Sequence, residues 1–330
     1  MPQPIASRPN RRTTTAWRLH PVLAVLVLCC GLVSAPSVRA QDAAALRARH
    51  LALSERWVSS ELRRALVLES SESSNGLQGD IYARVELPFA LVGPALMRNE
   101  QWCDILMLHL NVKQCRSGQA AAGPTLGLVI GSKYDQPLAD AYNFDFNFRE
   151  VASSADYMQV MLGAEHGPMG TTHYRILLKA VALDTGRSFV HLSYAYGYGT
   201  AARMAMQVYL ATIGRNKVGF CVVGHEANGA PQYIGGTRGV VERNTMRYYL
   251  ALEAYLGALG LPAAQQAERR LNDWFAAVER YPAQLHELEL GQYLALKREQ
   301  LQRQQVGTSA PARRVTTEAR ASDARPVLMP

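Results

Sequence analysis

Apolar residues recur near helical spacing from 42 to 69, at Leu46, Leu51, Leu53, Trp57, Leu62 and Leu66, with Arg and Glu between them. That period predicts an N-terminal helix over 42–69. The run SSESSNGLQG at 70–79 then breaks it with Ser, Asn and Gly. GDIYARVEL alternates, with Ile81, Ala83 and Val85 on one side and Tyr82, Arg84 and Glu86 on the other, as a strand with one wetter face does. Pro88 opens a helix, where its missing N–H costs little, and PFALVGPALMRNEQW carries that helix to about Trp102 with a kink or break at Pro94.

From His109 to Tyr198 the pattern is a β-meander, with strands expected at 108–115, 124–131, 140–151, 156–164, 171–183 and 188–198. YNFDFNFR alternates strictly, so Phe144, Phe146 and Phe148 share a face. The turn Asp184-Thr185-Gly186-Arg187 closes the last hairpin. A helix at 200–213, a hairpin turning at Asn228-Gly229 and a long amphipathic helix at 237–258 follow. Two more helices, 262–279 and about 283–304, precede a tail at 306–330 whose Ala, Arg, Pro, Ser and Thr predict disorder.

The order of strand, helix, long antiparallel sheet and long C-terminal helix resembles the helix-grip fold of the START and Bet v 1-like (SRPBCC) superfamily. The local match is ARVELPFALVGPALMRNEQW, where Pro88, Val92, Leu96 and Trp102 take the places of the Pro-containing turn, the apolar helix positions and the closing aromatic. The resemblance covers about 79–258. It implies an α+β domain in which a curved antiparallel sheet grips a long helix, with a cavity between them for an apolar or amphipathic ligand. Members bind lipids, sterols, polyketides or plant metabolites, and some are cyclases or aromatases; there is no family-wide catalytic residue to carry over. Helix 200–213, hairpin 217–235 and the segments 41–70 and 260–305 depart from the pattern.

Charge and composition change the picture mainly at the ends. Residues 1–20 carry Arg8, Arg11, Arg12 and Arg18 without an acid, followed by the apolar run PVLAVLVLCCGLV and by SAPSVRA. This predicts a secretory leader cleaved after Ala40, and so a periplasmic or secreted mature protein. The alternative is an uncleaved anchor; no later segment is long and apolar enough for a membrane span. The formal charge of +8 belongs to the leader and the tail, because 41–307 holds 26 basic and 25 acidic residues. That balance speaks against a nucleic-acid partner. Of the cysteines left after the leader, Cys103 and Cys115 would close a short disulfide loop, and Cys221 in GFCVV is expected in the core.

Tyr194, Tyr196 and Tyr198 fall on one face of a strand, where an apolar body with a polar tip suits a selective ligand cavity; plain sheet packing is the alternative. In GPMGTTHYRI, a symmetrical turn would set Arg175 opposite Tyr196 and His173 opposite Tyr198, an arrangement able to hold a carboxylate, phosphate or enolate. A solvated outer face is the alternative. With Trp102, these are the candidate ligand-binding residues. Arg238, Glu242, Arg243, Asn244 and Arg247 open the long helix, either as a polar rim or as surface ion pairs. Asp104 and His109 could form an acid–base pair, or His109 could be structural. No hydrolase, phosphate-loop or zinc signature is present, so no cofactor or metal is expected.

Three functions fit: a carrier or sensor of a hydrophobic small molecule; an envelope interaction protein using Trp274, Phe275, Tyr281 and Tyr293 of the C-terminal helices; or a cyclase-type enzyme with His173 or His191 in the cavity.

Overall fold

Period-two patterning gives most of the eight strands one buried side, and the strands join into a single antiparallel sheet. The computed structural model describes residues 38–58, 62, 64–212 and 214–308. The expected leader, but for 38–40, and the tail from 309 lie outside the described residues. The elements discussed belong to one unit beginning at Arg39.

Helix α1 (Val38–Val58) is followed by strands β1 (Leu66–Glu72) and β2 (Gly76–Val85) and by helices α2 (Phe89–Leu96) and α3 (Asn99–Leu106). The meander is β3 (Val112–Ala120), β4 (Gly123–Ile130), β5 (Tyr142–Ser153), β6 (Tyr157–His166), β7 (Thr171–Ala182) and β8 (Ser188–Tyr198). Then come α4 (Thr200–Ala211), a small hairpin of β9 (Val222–His225) and β10 (Pro231–Tyr233), and the long α5 (Gly236–Gly257). Helices α6 (Ala263–Val278), α7 (Pro282–Leu285) and α8 (Leu290–Thr308) close the chain.

Strand order in the curved sheet is β1-β2-β8-β7-β6-β5-β4-β3, so β2 returns to pair with β8 across the whole meander. Helix α5 lies against β1, β2 and β8, the grip implied by the sequence resemblance. The helix comes close to β2 at Gly79, where a Cβ would overlap the Thr245 hydroxyl. Pro94 sits inside α2, and two helices stand where one kinked or divided helix was expected.

Two expectations are corrected. The N-terminal helix ends at Val58, and 66–72 is an edge strand. Leu66 and Leu68 enter the main core while Val67 packs under α1, with Leu46, Leu53, Val181 and Phe189. A run of apolar residues buried on both faces has no period to distinguish strand from helix. Second, the β7–β8 register pairs Arg175 with Ala195 and Ile176 with Tyr194, one residue from the expected alignment. A bulge between Thr172 and Arg175 follows, and His173 adopts a positive φ of 51° within it.

The C-terminal helices are part of the core. Trp274 Nε1 donates to the Arg247 carbonyl at 3.2 Å, and the Trp274 ring stacks on Tyr293 at 5.0 Å. Phe275 and Tyr281 pack half-buried against the same core. Sandwiched between sheet and α6, α5 is buried almost all round, Arg243 and Arg247 included. Cys103 of α3 and Cys115 of β3 are disulfide-bonded, with Cα atoms 5.3 Å apart.

Candidate functional site

The space between sheet and α5 is mostly filled by aromatic rings and leaves a cavity of about 100 Å³. Phe144 and Phe146 of β5, Tyr174 of β7 and Tyr194 and Tyr196 of β8 form its sheet wall. Their rings lock together: Phe144 meets Tyr174 edge-on at 4.9 Å, and Tyr174 stacks on Tyr196 at 5.2 Å. Val240, Asn244 and Tyr248 of α5 form the opposite wall, at successive positions four apart on one helix face. Ala202, Ala205, Met206 and Tyr209 of α4 roof it. A second cleft of about 330 Å³ adjoins, lined by Glu72, Leu77, Tyr198 and Arg203. Thr171, Tyr196, Ala202 and Met206 line both, so α4 and Tyr196 form the partition. Met204 and Val208 leave large apolar side chains exposed on the other side of α4.

One end of the cavity is polar. His109 stacks on Tyr248 with ring centroids 5.0 Å apart, and its Nδ1 accepts the Asn111 N–H at 3.2 Å. That bond puts the ring proton on Nε2, which is buried and has no hydrogen-bond partner among the described residues. Burial first, then the charges of Arg247 and Lys297, hold His109 well below the usual histidine range, so the ring is neutral. Behind Asn244 and Tyr209 lie Arg243 and Arg247, each only 1% exposed. Arg247 bonds Glu287 Oε1 at 2.8 Å and Asn244 Oδ1 at 3.4 Å. Lys133 reaches the same Glu287 oxygen at 2.6 Å and Lys217 at 3.5 Å. Arg243 donates to the Val218 carbonyl at 3.3 Å and lies beside the Tyr209 hydroxyl. Burial of the phenols raises Tyr194, Tyr196 and Tyr248, which stay protonated donors.

The structure divides the residues singled out from sequence. Tyr194 and Tyr196 line the cavity, while Tyr198 faces the adjoining cleft and donates to Glu72 Oε1 at 3.1 Å. His173 and Arg175 do not line the cavity but a wide groove outside it, which Tyr196 also borders; Arg175 bonds Gln78 on the outer face, and the His173 side chain is 75% exposed. The one-residue register shift carries Arg175 outward, and the bulge turns His173 away. Trp102 is a core residue whose Nε1 donates to the Leu96 carbonyl at 3.0 Å. His191 is also on the outer face, 2.8 Å from Asp80 and stacked on Tyr82. Asp104 pairs with Arg270, not with His109. Arg238 and Glu242 do not pair: Arg238 bonds Ser70, and Glu242 accepts the Ser70 hydroxyl and the Phe220 and Cys221 N–H groups. Among the described residues, no group of three His, Cys, Asp or Glu is placed to hold a metal, and no helix is long and apolar enough to cross a membrane.

Sequence reasoning offered Asn244 as part of a polar rim but did not assign Tyr209 or Tyr248 to the cavity, nor Glu287 to the charged cluster behind it. A usable signal was present in α5: its apolar residues encircle the helix, so arginines among them had to be buried.

The first core strand, the pair α2–α3, the antiparallel meander returning to that strand, and α5 across its concave face are the ordered parts of a helix grip. The chain resembles the START and Bet v 1-like superfamily in fold. No family model matches the sequence, and no curated protein matches it. Solved structures similar to it include norcoclaurine synthase from Thalictrum flavum, at 13% identity over 45% of this chain and 79% of that one, with a TM-score of 0.30. Human StAR-related lipid transfer protein 5 is 8% identical over 51% of this chain and 90% of its own, with a TM-score of 0.29. The Zhui aromatase/cyclase from Streptomyces is 10% identical over 65% and 94%, with a TM-score of 0.29. The strand β1, the helices α1, α4 and α6–α8 and the β9–β10 hairpin are additions to the grip.

Proposed function

We propose that the chain is an exported binding protein for a hydrophobic or amphipathic small molecule held between the curved sheet and α5. The observation that carries this reading is the aromatic cavity roofed by α4, with a larger cleft on the other side of that partition. Burying apolar ligand surface there would contribute about 25 cal/mol per Å². At about 100 Å³ the inner cavity is smaller than most ligand pockets, which run from roughly 300 Å³ upward. A guest of ordinary size therefore reaches into the neighbouring cleft by displacing Met206 and α4. The extracytoplasmic setting rests on the basic and apolar leader pattern of 1–40, and the Cys103–Cys115 disulfide agrees with an oxidising compartment.

A cyclase built on His173 or His191 would have its acid–base group outside the cavity, since both imidazoles lie outside it. The interaction reading draws no support from Trp274 and Tyr293, which are spent on packing within the chain. The test is fluorescence titration of the mature protein with neutral N-phenylnaphthylamine, beside an Ala202→Phe variant that fills the shared wall. Saturable binding lost in the variant supports the proposal; absence of saturable binding to the wild type contradicts it.

A further inference from the structure

We propose that the polar end of the cavity is a seat for an anionic group, a carboxylate, sulfonate or phosphate, borne by the bound molecule. The inference rests on the cavity reading above and specifies which amphiphiles it takes. The groups at that end are donors. His109 presents a buried Nε2–H with no partner among the described residues. Asn244, whose Oδ1 is turned to Arg247, has its amide N–H groups left for the cavity. Arg243 Nη2 and Arg247 Nε are buried without partners among the described residues.

The charge balance points the same way. Arg247, Lys133 and Lys217 share the single carboxylate of Glu287. Arg243 has no ion-pair partner among the described residues; it lies beside the Val218 carbonyl and the Tyr209 phenol, and Glu287 acts on it without pairing. Glu242, next in sequence, is already satisfied by Ser70 and two backbone N–H groups. Buried charge of one sign is costly unless paired. Burial and the repulsion of Arg247 bring the Arg243 guanidinium down to about 10, and burial with Arg247 brings Lys133 to about 7. An anion entering beside His109, Asn244 and Tyr209 would lower the cost of all four cations at once. The seat would be direct through His109 and Asn244, with the arginines supplying field from behind the wall. A neutral imidazole suits this role, because it donates one hydrogen bond without adding to the local charge.

The test compares two dyes of similar shape: anilinonaphthalene sulfonate, which is anionic, and N-phenylnaphthylamine, which is neutral. Wild-type protein should bind the anionic dye at least about tenfold tighter, the usual size of one charge-assisted hydrogen bond. His109→Phe, which keeps the ring stacked on Tyr248, should cut that ratio by about tenfold. Glu287→Gln removes the opposing carboxylate and should raise the ratio, a direction that structural damage would not produce. Equal affinities in the wild type, or a ratio unmoved by both variants, would overturn the anion seat while leaving an apolar cavity. Failure of both dyes to bind the wild type would instead remove the cavity reading, and the seat with it.

Discussion

Lys297, on the last helix, donates its ammonium to the main-chain oxygen of His109 at 2.6 Å, and His109 is the residue whose ring closes the polar end of the cavity. The same ammonium reaches the Val112 carbonyl at 2.8 Å and Gln300 Oε1 at 3.1 Å. A C-terminal element thereby fixes the turn between α3 and β3. Lys297→Met keeps the volume but takes a donor from two buried carbonyls, of which that of His109 still accepts the Val112 N–H. The expected loss is about 2 kcal/mol, at the price usual for unsatisfied buried groups, read by urea denaturation. An unchanged midpoint would show that the turn holds itself.

Helices α6 to α8 are expected to be indispensable for folding. Removing 262–330 would expose the face of α5 that Trp274 covers, and would strip the Tyr293 hydroxyl and Lys297 from the 108–112 carbonyls. The truncated chain should lack a cooperative melt by near-UV circular dichroism. A folded, monomeric remainder would instead make these helices an appended adapter.

Stability should rise with pH across the neutral-to-alkaline range. Burial lowers Lys133 to about 7 and Lys113 to about 8. Between those values and about 10.4, the unfolded chain binds more protons than the folded one, so raising pH favours folding. The buried phenols of Tyr194, Tyr196, Tyr248 and Tyr293 are shifted upward. Above about pH 10 the unfolded tyrosines ionise while these do not, and stability falls again. Thermal melts should therefore peak between roughly pH 9 and 10; a Tm falling steadily from neutral pH would contradict these burial effects.

The disulfide joins residues 12 apart and holds α3 to β3. Opening so short a loop should cost about 3 kcal/mol, or roughly 6–10 °C of Tm in a domain of this size. Calorimetry of Cys103→Ala/Cys115→Ala beside the wild type measures it, and equal Tm values would mean that the fold does not need the bond. Cys221, its thiol pushed up to about 12 by burial and Glu242, should react slowly with alkylating reagents in both proteins.

The grip was legible because most of its strands bury one face only. YNFDFNFR shows this best: Phe144, Phe146 and Phe148 are buried, and Asn143, Asp145 and Asn147 are exposed. The strand Leu66–Glu72 was not legible, since its three apolar residues serve two cores on opposite faces. The placement of His173 and Arg175 failed for a different reason. Strand pairing has period two, so a one-residue error in the 184–187 turn exchanges inside for outside. The polar end of the cavity was legible only in part, as a polar rim or surface ion pairs at the start of α5, and the rest needs tertiary information. Arg243 and Arg247 read as a surface stripe until α6 covers one side of their helix. His109 becomes a cavity residue only when the chain from α3 to β3 is set against Tyr248.

The central claim is that sheet and α5 leave room for a guest. Native mass spectrometry of the mature protein tests it most directly, after incubation with a panel of aromatic acids, fatty acids and their neutral esters. The account predicts a one-to-one adduct that survives desalting, favours the acids over the esters and disappears in Ala202→Phe. A wild-type chain that stays ligand-free across the panel would contradict it and leave the tyrosines as packing.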